Sequence, residues 1–188
     1  MTALALELPI SVEDYLRSEE SAEWRHEYVN GIVQAMAGER TGHNEIAGNL
    51  YMRLRQLTKK SGQCRTFMEN VKVFPLSGGL SLFYYPDVMV ACDPRDTDDR
   101  FRRYPTVLIE VSSPATEDKD RGEKLLAYLQ NETLREYLIV QSERPEAVMH
   151  RRDTGWQRED YRGFEAEIEF RSLGLTMSLT EIYSGVLC

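Results

Sequence analysis

Apolar positions along this chain recur at two spacings, and the switches between them lay out its elements. Ser11 with Asp14 three residues later predicts a helix start, with Val12, Tyr15 and Leu16 on one apolar face. Stretches 24–29 and 32–37 read as strands, and the Asn30-Gly31 pair between them is the strongest short hairpin signal. After a loop over 38–42, residues 43–60 read as a helix, with Ile46, Ala47, Leu50, Leu54 and Leu57 at helical spacing. Residues 64–74 read as one strand, ended by Pro75 and a Ser77-Gly78-Gly79 turn. Stretches 80–85 and 88–92 read as strands on either side of Pro86, and 93–104 as a charged loop.

The run 106–111 is apolar throughout except for Glu110, the pattern of a central strand covered on both faces. Pro114 bars its continuation. A helix over 118–131 and a buried strand over 136–140 complete a strand–helix–strand unit, whose two strands should run parallel. Strands over 147–152 and 156–161 flank Asp153-Thr154-Gly155 as a hairpin, and Leu175, Met177 and Leu179 mark a last strand, with Thr180 as cap of a short final helix. No repeat, low-complexity tract or linker interrupts the pattern, so one mixed α/β (α+β) domain over 1–188 is the economical reading.

Composition narrows the class. The chain has 188 residues, a soluble-type composition and no apolar run near the roughly 20 residues of a membrane span. Its first eight residues carry no basic segment of a signal peptide. The three cysteines, Cys64, Cys92 and Cys188, are odd in number and lack a CxxC pair. That argues against a zinc site or a disulfide framework and for a reducing cytoplasm. A net charge of -8 counts against tight non-specific binding to DNA, yet leaves room for a nuclease whose own site is acidic. Arg53, Arg55, Lys59, Lys60 and Arg65 form one basic cluster; Arg100, Arg102 and Arg103 form another, open to reading as a solvated face or as phosphate contacts.

Candidate chemistry starts with Asp87, just before one apolar run, and Glu110, inside another. A charge in such a run is costly unless paired. Two carboxylates without thiol or imidazole suit a hard divalent cation such as Mg²⁺ or Mn²⁺. Lys124, one turn into the next helix, is placed to position water or steady negative charge, with Lys119 and Arg121 as weaker candidates. Glu27 offers a third carboxylate or a cross-strand ion pair, and His43 a substrate contact or a cap. Ser112 and Ser113 have no Gly-x-Ser-x-Gly elbow, and Gly78-Gly79 belongs to no phosphate-binding loop.

The series Pro86-Asp87, Glu110-Val111-Ser112 and Lys124 resembles a variant of the PD-(D/E)xK nuclease signature. More specifically, the block from His26 to Val33, the helix carrying His43, Ile46, Asn49 and Leu50, and blocks opening at Tyr85, Pro105 and Leu134 resemble, in order, the Uma family of restriction-endonuclease-like proteins. The resemblance covers 11–140, with a looser tail to Val186. It implies a restriction-endonuclease-like fold: a mixed central sheet flanked by helices, with an N-terminal hairpin. It also implies a Mg²⁺- or Mn²⁺-dependent DNA phosphodiesterase with Asp87 and Glu110 as ligands, the Val111 carbonyl as a third and Glu27 completing the shell. Ser112 stands where the parent signature has lysine, and Lys124 fills the place of a lysine migrated to the helix. A cytoplasmic enzyme acting as a C₂ homodimer follows as an expectation. Two rivals stand beside it: a catalytically silent nuclease-fold module that binds nucleic acid or a partner protein, and a structural acidic domain whose carboxylates are tied up in salt bridges.

Overall fold

The computed structural model describes residues 9–36, 38–74 and 79–187. Helix α1 (Val12–Ser21) begins where the pattern places it, with Ser11 Oγ accepting the Asp14 N–H at 3.1 Å. That bond satisfies one of the donors a helix start leaves open. Strands β1 (His26–Val29) and β2 (Ile32–Ala35) pair antiparallel across Asn30 and Gly31, both at positive φ. A Cβ at Gly31 would stand 2.4 Å from the Pro9 Cβ, so the turn needs glycine for space as well as for conformation.

Helix α2 (Thr41–Ser61) buries Ile46, Ala47, Leu50 and Leu54 completely and ends at Gly62, which adopts the left-handed conformation. The strand expected over 64–74 is two strands. β3 (Arg65–Met68) and β4 (Lys72–Val73) join different sheets, because Glu69 turns the chain at φ +47° and donates its N–H to the Asp87 carbonyl at 3.1 Å. Of the turn expected after Pro75, only Gly79 lies within the described residues. The next stretch contributes just β5 (Leu82–Phe83), which extends the N-terminal hairpin rather than the main sheet. β6 (Val88–Ala91) follows. The expected charged loop holds β7 (Phe101–Arg102), parallel to β4.

β8 (Pro105–Ser112) is the long central strand. The helix after it runs as α3 (Glu117–Lys119), a π-helical turn (Asp120–Lys124) and α4 (Leu125–Leu129). β9 (Glu136–Gln141) then lies parallel to β8, as the strand–helix–strand reading requires. β10 (Glu146–Arg151) and β11 (Arg158–Arg162) form the expected hairpin. β12 (Glu167–Phe170), absent from the sequence reading, pairs with β13 (Leu175–Ser178). The last helix, α5 (Leu179–Ile182), is capped by Ser178 in a reciprocal box with Glu181, not by Thr180.

The main sheet orders its strands β11-β10-β9-β8-β6-β3, with β8 and β9 parallel and the other neighbours antiparallel. It is therefore the mixed sheet flanked by helices that the resemblance implies. Side chains alternate across it. Val107, Ile109 and Val111 pack with α2, α5 and the β12–β13 hairpin. Leu108, Tyr137 and Ile139 pack on the other face with Ala127 and Tyr128 of α4. A third cluster joins Tyr15 and Leu16 of α1 to Tyr28, Phe83 and Phe101.

One expectation is corrected outright. Cys64 and Cys92 stand beside the Arg65–Ala91 register pair and are joined by a disulfide. Antiparallel pairing brought together two cysteines that are 28 residues apart in the chain. Disulfides persist in oxidising surroundings, so the cysteines do not argue for a reducing compartment. Among the described residues no helix is long and apolar enough to cross a membrane.

Candidate active site

Asp87 and Glu110 come together through strand register. Val88 pairs with Ile109, so Asp87, one residue earlier, stands opposite Glu110, one residue later. Both line one cavity of about 190 Å³, together with Glu27, His43, Val111, Lys119, Asp120 and Lys124. Asp87 Oδ2 accepts the Val111 N–H at 2.6 Å and lies 3.3 Å from His43 Nε2. This bond ties the end of β6 to β8 and fixes the Asp87 side chain in place.

Glu110 is buried, 3% exposed. Tyr128 donates its hydroxyl to Oε1 at 2.8 Å, and Lys124 Nζ stands 3.1 Å from Oε2. Lys124 also reaches Asp120 Oδ1 at 3.3 Å and Glu27 Oε1 at 3.5 Å. Its ammonium is thus the hub of three carboxylates. Glu27 Oε2 takes a second lysine, Lys119, which also donates to Gln34. Asp120 Oδ2 accepts the Ser112 hydroxyl at 2.8 Å. Ser112 is therefore bonded to the carboxylate that faces Lys124.

Asp120 and Lys124 bound the π-helical turn. Such a turn carries one extra residue, re-aims the side chains around it and occurs often at functional sites. Asp120 was missed in the sequence; the signal for it was its place four residues before Lys124, on the same helical face.

The charges do not balance. Glu27, Glu39, Asp87, Glu110 and Asp120 line the cavity against Lys119 and Lys124, with His43 beside Asp87. Burial pushes the Glu110 carboxyl well above its usual range; Lys124 opposes that, and Asp120 and Asp87 reinforce it. Burial would lower the Lys124 ammonium, but Glu110, Asp120, Glu27 and Asp87 together hold it well above its usual value, so it stays charged. For His43, burial lowers the imidazole, and the hydrogen bond and charge of Asp87 outweigh it, leaving a raised value. His43 Nδ1 is buried without a hydrogen-bond partner, and Asp120 Oδ1 has only the Lys124 ammonium, 3.3 Å away.

These observations bear on a divalent cation. Among the described residues no three His, Cys, Asp or Glu side chains form a ready metal-binding group. Glu27, expected to complete a shell, is engaged by two lysines instead. Mg²⁺, however, is held in many sites by one or two carboxylates plus water. Two oxygen-bearing side chains opposite each other and surplus negative charge fit that minimal set.

The three arginines named as phosphate contacts line neither this cavity nor the larger one beside it. Arg100 lies near Glu13 and Asp98, Arg102 is buried over the Phe67 ring, and Arg103 stacks on Phe74 and Phe101. His43, by contrast, lines both cavities.

Residues 12–180 match the family model Uma2, described as "Putative restriction endonuclease". A protein of Synechocystis sp., slr1290, is 34% identical over 183 residues, covering 94% of this chain and 93% of its own. A second from the same organism, sll1609, is 29% identical over 175 residues, covering 90% and 97%. Both are described as uncharacterized. A crystal structure from Anabaena variabilis, titled as a "putative nuclease belonging to DUF820", superposes with a TM-score of 0.77 over 94% of this chain and 98% of that one. At 18% identity that likeness speaks for the fold alone.

Proposed function

The chain belongs to the Uma2 family of restriction-endonuclease-like proteins, and on that premise we propose that it is a Mg²⁺- or Mn²⁺-dependent endonuclease hydrolysing DNA phosphodiester bonds at the cavity between Asp87 and Glu110. One observation carries the reading: two carboxylates from paired strands line a single cavity beside a charged, buried lysine, with negative charge in excess. Asp87 and Glu110 would hold the cation, with the Val111 carbonyl beside them. When bound, the ion supplies Lewis-acid neutralisation of phosphate charge.

The chain's own side chains do the rest. Lys124 presents an ammonium that orients the attacking water and offsets charge building on the phosphate. Asp120 and Glu27 hold that ammonium in position, and Ser112 holds Asp120. Tyr128 keeps one Glu110 oxygen fixed so that the other faces the cavity side where Lys124 stands. His43, on the cavity wall beside Asp87, is a further polar side chain placed to meet substrate. Cutting both strands of a duplex calls for two such sites, hence a C₂ dimer.

A second reading has its own support: Lys119 and Lys124 already neutralise Glu27 and part of Glu110 without any cation. On that reading the fold is a silent module that binds nucleic acid or a partner protein. Plasmid nicking with Mg²⁺ or Mn²⁺, beside the Asp87→Ala control, separates them. Cleavage by the wild type alone supports the enzyme. No cleavage, together with equal manganese binding heats for wild type and Asp87→Ala, overturns it.

A further inference from the structure

The candidate cavity adjoins a larger neighbour of about 640 Å³, with Met36, Glu39, His43, Tyr85 and Asp87 common to both walls. Three features of this neighbour stand out. Trp24 lines it while remaining 66% exposed, the most exposed aromatic ring among the described residues with large apolar side chains at the surface. His43, 5% exposed, forms part of the wall between the two cavities, with its Nε2 3.3 Å from Asp87 Oδ2. Glu69, on the same wall, holds a positive φ of 47° that a side chain rarely adopts, and its carboxylate accepts the Asn44 amide at 2.9 Å.

Charge decides what kind of group fits. Five carboxylates, Glu23, Glu39, Glu45, Glu69 and Asp87, line this cavity against two arginines, Arg25 and Arg40. A phosphate would be repelled. A nucleobase carries no charge, and its exocyclic amino and ring N–H groups are donors that carboxylates and the free Asn44 carbonyl can accept. Its face stacks on an exposed indole. Such a base must be out of its helix, because the paired edge of a duplex is not available to a pocket wall.

We propose that this larger cavity is a subsite for one unpaired nucleobase next to the scissile phosphate, stacked on Trp24, so that the preferred substrate is single-stranded or locally unpaired DNA. The inference rests on the nuclease reading of the adjoining cavity.

The chain has two tryptophans, which makes the test direct. Trp156 lies under the Arg152 guanidinium and lines neither cavity. In a Trp156→Phe background, Trp24 is the sole indole emitter. Titration with a short single-stranded oligodeoxynucleotide, calcium present, should quench that emission, and the blunt duplex of the same sequence should quench it far less. Trp24→Ala, followed by a labelled oligonucleotide, should bind about 10-fold more weakly, with Trp24→Phe restoring most of the loss. Equal quenching by duplex, no quenching by either, or quenching by spermidine but not by oligonucleotide would overturn the subsite. Its fate is separable from that of the parent reading: single-strand quenching without nicking by the wild type keeps the subsite and removes the nuclease, and nicking without quenching does the reverse.

Discussion

Two buried charge clusters sit on opposite faces of the central sheet, and they are finished differently. At the start of β9, Glu136 meets Arg151 from the end of β10. Glu136 Oε1 accepts the Arg171 N–H at 2.8 Å and the Arg151 Nε–H at 3.3 Å, and Oε2 accepts the Ser172 N–H and hydroxyl. Arg151 spends its remaining donors on Glu159, the Tyr161 hydroxyl and the Glu169 carbonyl. On the other face, Glu110 and Asp120 share one lysine, and five carboxylates line a cavity that holds two ammoniums. The first arrangement answers both oxygens of Glu136 and joins β9, β10 and β12, although one Glu159 oxygen in it has no hydrogen bond and it borders a cavity of about 270 Å³ lined by four arginines. The second leaves coordination capacity beside a cavity. Neither a buried charge nor a neighbouring cavity alone marks a cation site; carboxylates in excess of cations beside open space do, and only the second cluster has them.

The largest expected effect breaks the first cluster. Glu136→Ala takes from the Arg151 guanidinium, 1% exposed, the more buried of its two carboxylates and leaves only Glu159. Removing one member of a buried pair costs about 3–5 kcal/mol. Urea unfolding should show a loss of that size, while nicking per folded molecule stays at the wild-type level. A loss below about 1 kcal/mol would place this pair with ordinary surface salt bridges.

The next effect is on the second cluster and is catalytic. Lys124→Ala should lower cleavage by about 100-fold or more, while the manganese binding heat persists, because Asp87 and Glu110 remain. Full activity would move the role to Lys119 or to no lysine. The contrast with Glu136→Ala is the point: one variant loses stability and keeps activity, the other loses activity.

The central strand and its acid were legible in advance for a local reason. An apolar run broken by a single carboxylate is written in consecutive residues, and so are the Asn30-Gly31 hairpin and the helical spacing of Ile46, Leu50 and Leu54. What escaped was decided by partners distant in the chain. The stretch 64–74 has one strand pattern, yet β6 claims its first half and β7 its second, and Glu69 turns between them. The Cys64–Cys92 bond exists only because β3 and β6 pair. Asp120 reads as a helical surface residue until the π-helical turn and Ser112 draw it to Lys124.

Protonation sharpens the comparison further. Glu110 has a folded value raised by burial and by its acidic neighbours, so the folded state holds that proton more tightly than the unfolded chain. Its stabilising contribution is complete below the ordinary carboxylate range and is lost as pH rises from there through the folded value. Without divalent cations, stability should therefore fall with rising pH over that window, by at most about 1.4 kcal/mol per pH unit. Glu110→Gln should flatten the slope. Urea midpoints across pH, in chelator, read both; an unchanged slope in the variant would remove Glu110 as its source.

The smallest expected effects come from a matched pair of serines. Ser172 and Ser112 each donate a hydroxyl to a buried carboxylate, Glu136 in one cluster and Asp120 in the other. After Ser172→Ala, Glu136 still accepts from Arg151 and two backbone N–H groups, so the loss should be about 1 kcal/mol. After Ser112→Ala, Asp120 Oδ2 loses its donor, leaving only the contact of Oδ1 with Lys124. That cost should be the larger of the two, about 2 kcal/mol, and adding Mg²⁺ should recover part of it for Ser112→Ala alone, because a ligand that binds only the folded state stabilises it. Equal losses with no magnesium effect on either variant would mean that the two clusters are finished alike, and the distinction drawn between them would fail.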